Sequence, residues 1–100
     1  MTVNLQSLDA ELTWLHDWSK RLTRAETDLG LTPGSLTLSA PTVTGPAGVT
    51  VTGVQVNTAG TGVVFKVTTT LTTPDDVTLT TGVTLSNGDT DEQEFVIGLR

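Results

Sequence analysis

The single histidine of the chain lies beside an aspartate and a serine, residue types that together can form a nucleophilic catalytic site. His16, Asp17 and Ser19 fall within one short stretch. Neighbours this close on a helix cannot direct a hydroxyl, an imidazole and a carboxylate at one substrate carbonyl. The chain also has no Gly-x-Ser-x-Gly sequence, which would place a nucleophile on a strained turn. We therefore expect a protein that is not an enzyme and that has no cofactor.

Two groups of carboxylates resemble parts of a calcium-binding loop. Asp75 and Asp76 are adjacent, and residues 89–94 contain four further carboxylates, Asp89, Asp91, Glu92 and Glu94. An Asp-x-Asp spacing opens a calcium loop, but the glycine and the distal glutamate that such a loop needs are not in place. We expect no metal site and interpret both groups as solvated turns. The second group also discourages the edge strand from pairing with other chains.

Charge and composition exclude several classes of partner. The net charge is −6 and the isoelectric point is about 4.3, so the chain repels phosphate and we expect neither nucleic-acid nor anionic-membrane binding. The sequence has no cysteine, which excludes disulfides and thiolate metal sites and favours assembly in a reducing cytoplasm. We expect no signal peptide and no membrane span.

The residues that carry these candidate groups belong to two segments with different hydrophobic periods. Residues 1–26 show apolar side chains at steps of three and four, which predicts a helix that Gly30 and Pro33 bring to an end. Asp17–Ser19 is a candidate interruption, because Asp and Ser also cap helices. The apolar stripe consists of Leu5, Leu8, Leu12, Leu15, Trp18 and Leu22.

From Ser35 onward the apolar residues alternate with polar ones, mostly threonine. β-Branched residues at a period of two, with turn sequences every 8–12 residues, predict an antiparallel β-sandwich. The Asn87-Gly88 pair predicts a hairpin near the end of the chain. The predicted organisation is an N-terminal helical segment over residues 1–30, used for docking or packing, and a mainly β domain over residues 35–100.

Both tryptophans lie in the N-terminal segment, and two interpretations are open. Trp14 and Trp18 either pack this segment against the sandwich or face a partner, since tryptophan is favoured at interfaces. We expect Trp18 to be buried. The predicted contact with a partner, or with a neighbouring copy, consists of Leu5, Leu8, Leu12, Trp14 and Leu15.

Several short motifs occur in an order that resembles the phage fiber-tail adaptor proteins, small structural proteins of tailed bacteriophages. Asp17-Trp18-Ser19 followed by Leu22 resembles the family's DWSxWL motif, with Arg21 at the place of its second aromatic residue. Ala47–Val51 resembles a GLTV strand of the family. Thr90-Asp91-Glu92 with Phe95 resembles the TDE..F sequence of its last hairpin.

The resemblance implies an immunoglobulin-like sandwich that works by binding, as a virion protein linking the tail or neck to fibers or neighbouring modules. It implies many copies or a homo-oligomer, assembly in the host cytoplasm, and partners among tail, portal, fiber or capsid proteins. In this interpretation Asp17, Trp18, Ser19 and Leu22 form a structural motif. Two alternatives remain open, a capsid decoration protein and a small bacterial inhibitor or ligand-binding module.

Overall fold

The period-two segments form strands, and the prediction of a mainly β chain is confirmed. The computed structural model describes residues 4–100, and in that range it contains two sheets and one short helix. The elements in chain order are β1 (Asn4–Gln6), β2 (Leu12–Asp17), α1 (Ser19–Leu29), β3 (Leu38–Thr44), β4 (Val49–Val56), β5 (Gly62–Thr69), β6 (Asp75–Leu85) and β7 (Thr90–Leu99).

The predicted N-terminal helix is wrong over residues 4–17, which form β1 and β2 with a turn between them. Its helical spacing arises because leucines from two strands and a turn happen to fall three or four positions apart. β2 instead pairs along its length with β5, from Leu12↔Val67 to Asp17↔Gly62. This pairing satisfies backbone groups and turns alternate side chains inward, which outweighs a weak local preference for helix. Residues 1–3 of the predicted helix lie outside the described residues.

Helix α1 begins at Ser19, within the candidate interruption Asp17–Ser19, and ends before Gly30, the glycine predicted to stop the helix. The Trp18 carbonyl accepts the first helical hydrogen bond, from the Leu22 N–H at 3.0 Å. At the other end Gly30 has φ 69°, a left-handed conformation that glycine adopts without steric cost. The Leu31 N–H then donates to the Glu26 carbonyl at 2.8 Å, the closing bond of a Schellman motif. In the described range no helix is long and apolar enough to cross a membrane.

The strands are divided between a four-stranded sheet, in the order β1-β7-β6-β3, and a three-stranded sheet, in the order β2-β5-β4. Residues from both predicted segments therefore build the same two sheets. β1 runs parallel to β7 and pairs only with its end, from Asn4↔Ile97 to Gln6↔Leu99. The other pairings are antiparallel.

A buried glutamine ties the two sheets together at the start of the chain. The side-chain nitrogen of Gln6, on β1, donates to the carbonyls of Val67 at 3.0 Å and Ala10 at 3.1 Å. Its side-chain oxygen accepts the indole N–H of Trp14 at 2.8 Å. Burial of an unpaired amide costs free energy, and here both polar atoms of the side chain are paired. Gln6 thereby holds β1, of one sheet, against β2 and β5 of the other.

One hydrophobic core lies between the sheets. β6 alternates buried and more accessible positions through most of its length, as expected for a strand with one face inward. Helix α1 adds Leu22 to the core from one end. The buried apolar residues are Trp18, Leu22, Leu36, Leu38, Val63, Phe65, Val67, Val77, Leu79, Val83, Leu85, Ile97 and Leu99.

Truncation of Leu79 should destabilise the fold strongly, because this side chain is fully buried at the centre of β6. We expect Leu79→Ala to lower the free energy of unfolding in urea by about 2–5 kcal/mol. Leu31→Ala, at an exposed position after α1, is the matched control and should change it by less than about 0.5 kcal/mol. Equal effects of the two substitutions would contradict this description of the core.

Candidate functional site

The predicted structural motif forms the corner between β2 and α1. The Asp17 side-chain oxygen accepts the Ser19 backbone N–H at 2.8 Å, and this hydrogen bond holds the pKa of Asp17 below its ordinary value. The backbone N–H of Trp18 donates to the Thr61 carbonyl at 2.8 Å. The side chains of Trp18 and Leu22 are buried. The motif thus fixes the direction in which the chain leaves the three-stranded sheet.

The structure does not bring the five predicted partner-contact residues onto one face. Gln6 faces the core, so its neighbour Leu5 lies on the outer face of the four-stranded sheet and is 62% exposed. Leu15 lies between the inward Trp14 and His16, on the outer face of the other sheet, and is 51% exposed. A single apolar stripe would have required the helix that does not form.

The remaining three members differ in exposure. Leu8, in the turn after β1, and Trp14, on β2, are half-buried against the core. Leu12, at the start of β2, is exposed. Only Leu5, Leu12 and Leu15 of the five therefore offer a large apolar surface.

Glycines make room for two of these leucines. A β carbon at Gly98 would lie 2.9 Å from Leu5 Cδ2, and one at Gly62 would lie 2.7 Å from Leu15 Cδ1. Each leucine therefore rests against glycine backbone on the outside of its sheet. The two exposed apolar sites are on opposite sides of the molecule.

His16 lies in a cluster of aromatic rings. Its ring centre is 5.1 Å from that of Phe95 and 5.7 Å from that of Trp18. Its Nδ1 lies 2.8 Å from the Thr81 hydroxyl oxygen, whereas in a catalytic triad a carboxylate holds this nitrogen. Burial lowers the pKa of His16, and the nearby charge of Asp17 opposes this effect only in part.

The carboxylates of the final hairpin are separated by their hydrogen-bond partners. Asp89 exchanges two hydrogen bonds with Asn87 across the turn, at 3.1 Å each. Asp91 is held instead by Arg21. Among residues 4–100 no three or more histidine or carboxylate side chains are grouped so that they could hold a metal ion.

A bidentate ion pair joins α1 to β7. Arg21 Nε lies 2.7 Å from Asp91 Oδ2, and Arg21 Nη2 lies 3.0 Å from Asp91 Oδ1. Asp91 Oδ1 also accepts the Glu92 backbone N–H at 2.8 Å. Such a two-pronged arrangement fixes orientation more firmly than a single contact. It raises the pKa of Arg21 further and sets α1 beside the last hairpin.

Beside this ion pair is an open groove of about 530 Å³ with a basic lining. Its walls are Lys20, Arg21 and Arg24 from α1 and Gln93 from β7. Three of the five lysines and arginines of an acidic chain are therefore gathered at one place. The side-chain nitrogen of Gln93 is buried and has no hydrogen-bond partner among the described residues. The groove thus combines two cations, Lys20 and Arg24, with an unused donor.

Comparison with family models, with curated proteins and with solved structures gives no significant match.

The spacing of residues along the chain does not predict this groove. Lys20, Arg21 and Arg24 lie within the predicted helical segment, and Asp91 lies in a group of carboxylates interpreted as a solvated turn. Arg21 and Asp91 are 70 positions apart in the sequence. The spacing of residues so far apart does not predict that they make contact. The one available signal was that both residues lie within the segments that carry the family resemblance.

The ion pair between Arg21 and Asp91 should contribute measurably to stability although it is partly exposed. In a double-mutant cycle with Arg21→Ala and Asp91→Ala, we expect a coupling energy of about 0.5–1 kcal/mol that weakens in high salt. The control cycle is Arg24→Ala with Asp28→Ala, a pair at 3.8 Å that is 82% and 68% exposed. It should show almost no coupling. A coupling for Arg21 and Asp91 no larger than the control would contradict the proposed role.

Stability should fall on mild acidification because of His16. The pKa of His16 is lowered in the folded protein, so the unfolded chain binds a proton more readily. The free energy of unfolding should therefore be level above about pH 7 and decrease as the pH falls from about 6.5 towards the folded-state pKa.

His16→Gln should remove this dependence between about pH 6.5 and 5, where carboxylates still contribute little. Denaturation in urea at a series of pH values measures the effect. Because His16 is the single histidine, NMR titration of its ring gives the folded-state pKa directly. A folded-state pKa at or above about 6.5 would overturn the expected direction.

Proposed function

We propose that the protein is a non-enzymatic binding module, a virion structural protein of a tailed bacteriophage that links the tail or neck to fibers or neighbouring modules. One observation carries the proposal: two of the three segments that resemble fiber-tail adaptors, Asp17–Leu22 and Thr90–Phe95, adjoin in the fold. Arg21, within the first segment, pairs with Asp91 in the second at 2.7 Å. Phe95 of the second packs 5.1 Å from His16, which precedes the first. The resemblance therefore concerns one folded unit.

The division of the strands supports an immunoglobulin-like sandwich. In constant-type immunoglobulin domains, strands B, E and D lie in one sheet and strands C, F and G in the other. Here β2, β5 and β4 form one sheet, and β3, β6 and β7 lie in the other. In those domains the first strand, A, joins the sheet of B, E and D, whereas here β1 pairs with β7.

The exposed leucines support a role in joining neighbours. Leu5 and Leu15 lie on opposite outer faces, each against a glycine. A module that connects two proteins, or two copies of itself, needs two separate contacts. Large apolar side chains on both faces meet this need, and the negative net charge suits protein partners better than nucleic acid.

Replacement of Leu5 and Leu15 should reduce incorporation of the protein into phage particles. In a phage that carries the gene, Leu5→Ser with Leu15→Ser should reduce the protein in purified virions by at least about tenfold, since each change removes apolar contact area. The matched control is Leu29→Ser with Leu31→Ser, which alters two exposed leucines near the end of α1. Quantitative mass spectrometry of the particles measures the result, after circular dichroism has confirmed that both variants fold.

Immunogold labelling of the same virions separates the candidate functions. Label at the tail or neck supports the adaptor. Label over the whole capsid would replace it with a decoration protein, and absence from the particles would overturn the virion proposal and leave the inhibitor or ligand-binding module. Light scattering at several protein concentrations shows whether the leucines join copies of the chain.

A further inference from the structure

We propose that the free edge of β7 binds an extended segment of a partner protein that carries acidic residues at alternate positions. The segment adds a strand to the four-stranded sheet and directs its carboxylates at Lys20 and Arg24. This inference rests on the proposed function as a binding module, and it adds where the partner binds and what chemistry recognises it.

In the part of the chain that the structure describes, the first part of β7 has no neighbouring strand on one side. Within residues 4–100, β1 pairs with Ile97–Leu99 only, and Thr90–Val96 pairs with β6 alone. A strand edge of this kind presents backbone N–H and C=O groups to any extended chain that approaches it.

The hydrogen-bond phase shows which backbone groups point outward. The Leu85 N–H donates to the Asp89 carbonyl, so Asp89 is a hydrogen-bonded position of the hairpin. Such positions alternate in an antiparallel pair. The backbone groups of Asp91 and of every second residue after it therefore bond to β6, and those of the residues between them point outward. Two contacts agree with this phase, because the Val96 carbonyl accepts from Asn4 and the Glu92 N–H donates to its neighbour Asp91.

The Glu92 carbonyl and both backbone groups of Glu94 therefore lie along the open edge. Side chains at these two positions point away from the core, whereas those of Asp91 and Gln93 point inward. A strand placed at this edge would have one row of side chains beside Gln93 and α1, and the other beside Glu92 and Glu94.

Charge decides what kind of strand fits. On the inner side the new strand meets the basic groove and the unpartnered side-chain nitrogen of Gln93. Arg21 is already neutralised by Asp91. Lys20 forms no ion pair within 4 Å among the described residues, and Arg24 only touches exposed Asp28 at 3.8 Å. Carboxylates on the inner row would pair with these two cations.

A second copy of β7 is a poor occupant. Antiparallel pairing of two β7 edges would place Glu92 and Glu94 of one copy beside the same residues of the other, and like charges directly opposite are destabilising. The same two glutamates disfavour acidic residues on the outer row of any partner. The occupant is therefore a different chain, with acidic residues on one side of the strand only.

The test uses the purified protein labelled with nitrogen-15 and an eight-residue peptide of alternating threonine and glutamate. We expect NMR shifts of the Glu92, Glu94 and Gln93 amides, with a dissociation constant below about 1 mM in low salt. Raising the salt to about 0.5 M should weaken binding several-fold, because the contacts are between partly exposed charges. A peptide with lysine in place of glutamate should not bind.

Two variants separate the charge contribution from the backbone contribution. Lys20→Glu with Arg24→Glu should weaken binding at least about tenfold, whereas Lys66→Glu, a cation that pairs with Glu11 on the other sheet, should leave it unchanged. Glu94→Pro removes an outward N–H, which an edge strand tolerates, and should abolish the amide shifts. Near-identical melting temperatures establish that the variants fold.

Absence of shifts in the wild-type protein at millimolar peptide overturns the proposal, as do shifts that persist in Lys20→Glu with Arg24→Glu. If Glu94→Pro fails to fold, the salt dependence and the charge variants decide alone. The particle assay is independent of this result. If the protein is present in virions but does not bind the peptide, this inference is wrong and the proposed function stands. If it binds the peptide but is absent from virions, the proposed virion function is wrong and the binding site stands.

Discussion

The burial of Trp18 at the corner between β2 and α1 is the constraint on which the rest of the structure depends. Its backbone N–H is held by the Thr61 carbonyl, its carbonyl begins the helix, and its side chain is fully buried. An indole of this size contributes a large share of a small core. With Trp18 in place, β2 must end at Asp17 and the chain must turn onto the end of the sandwich.

The position of α1 follows from this corner and from one long-range ion pair. Arg21 is one turn into the helix and meets Asp91 of the last hairpin at 2.7 Å. The helix consequently lies beside the open part of β7 and not over the outer face of either sheet. Lys20 and Arg24 are carried along on the same helix, so the basic groove is a consequence of how the corner directs the chain. Gln6 has a corresponding role at the other end of β7, where it anchors β1.

Among residues 4–100 these constraints separate the side chains that the sequence offered as candidates for chemistry. His16 is enclosed by aromatic rings and held by Thr81, and the hairpin carboxylates are divided between Arg21 and the turn. The exposed features of this part of the chain include Leu5 and Leu15 on opposite faces and the edge of β7 beside the basic groove. Each of these features is suited to holding another protein.

The sequence by itself determined the mainly β character from Ser35 onward, the Asn87-Gly88 hairpin and the end of the helix at Gly30, because each depends on local conformational preference. It also determined the acidic net charge. Tertiary structure decided the rest. Residues 12–17 have leucines at helical spacing, yet they pair with β5, because backbone pairing and burial between two sheets exceed the small differences in local propensity. The meeting of Arg21 with Asp91, the separation of Leu5 from Leu15 and the open edge beside Gln93 all depend on which strands become neighbours. Spacing along a chain does not specify that, since contacts between distant residues form only when the whole core is closed.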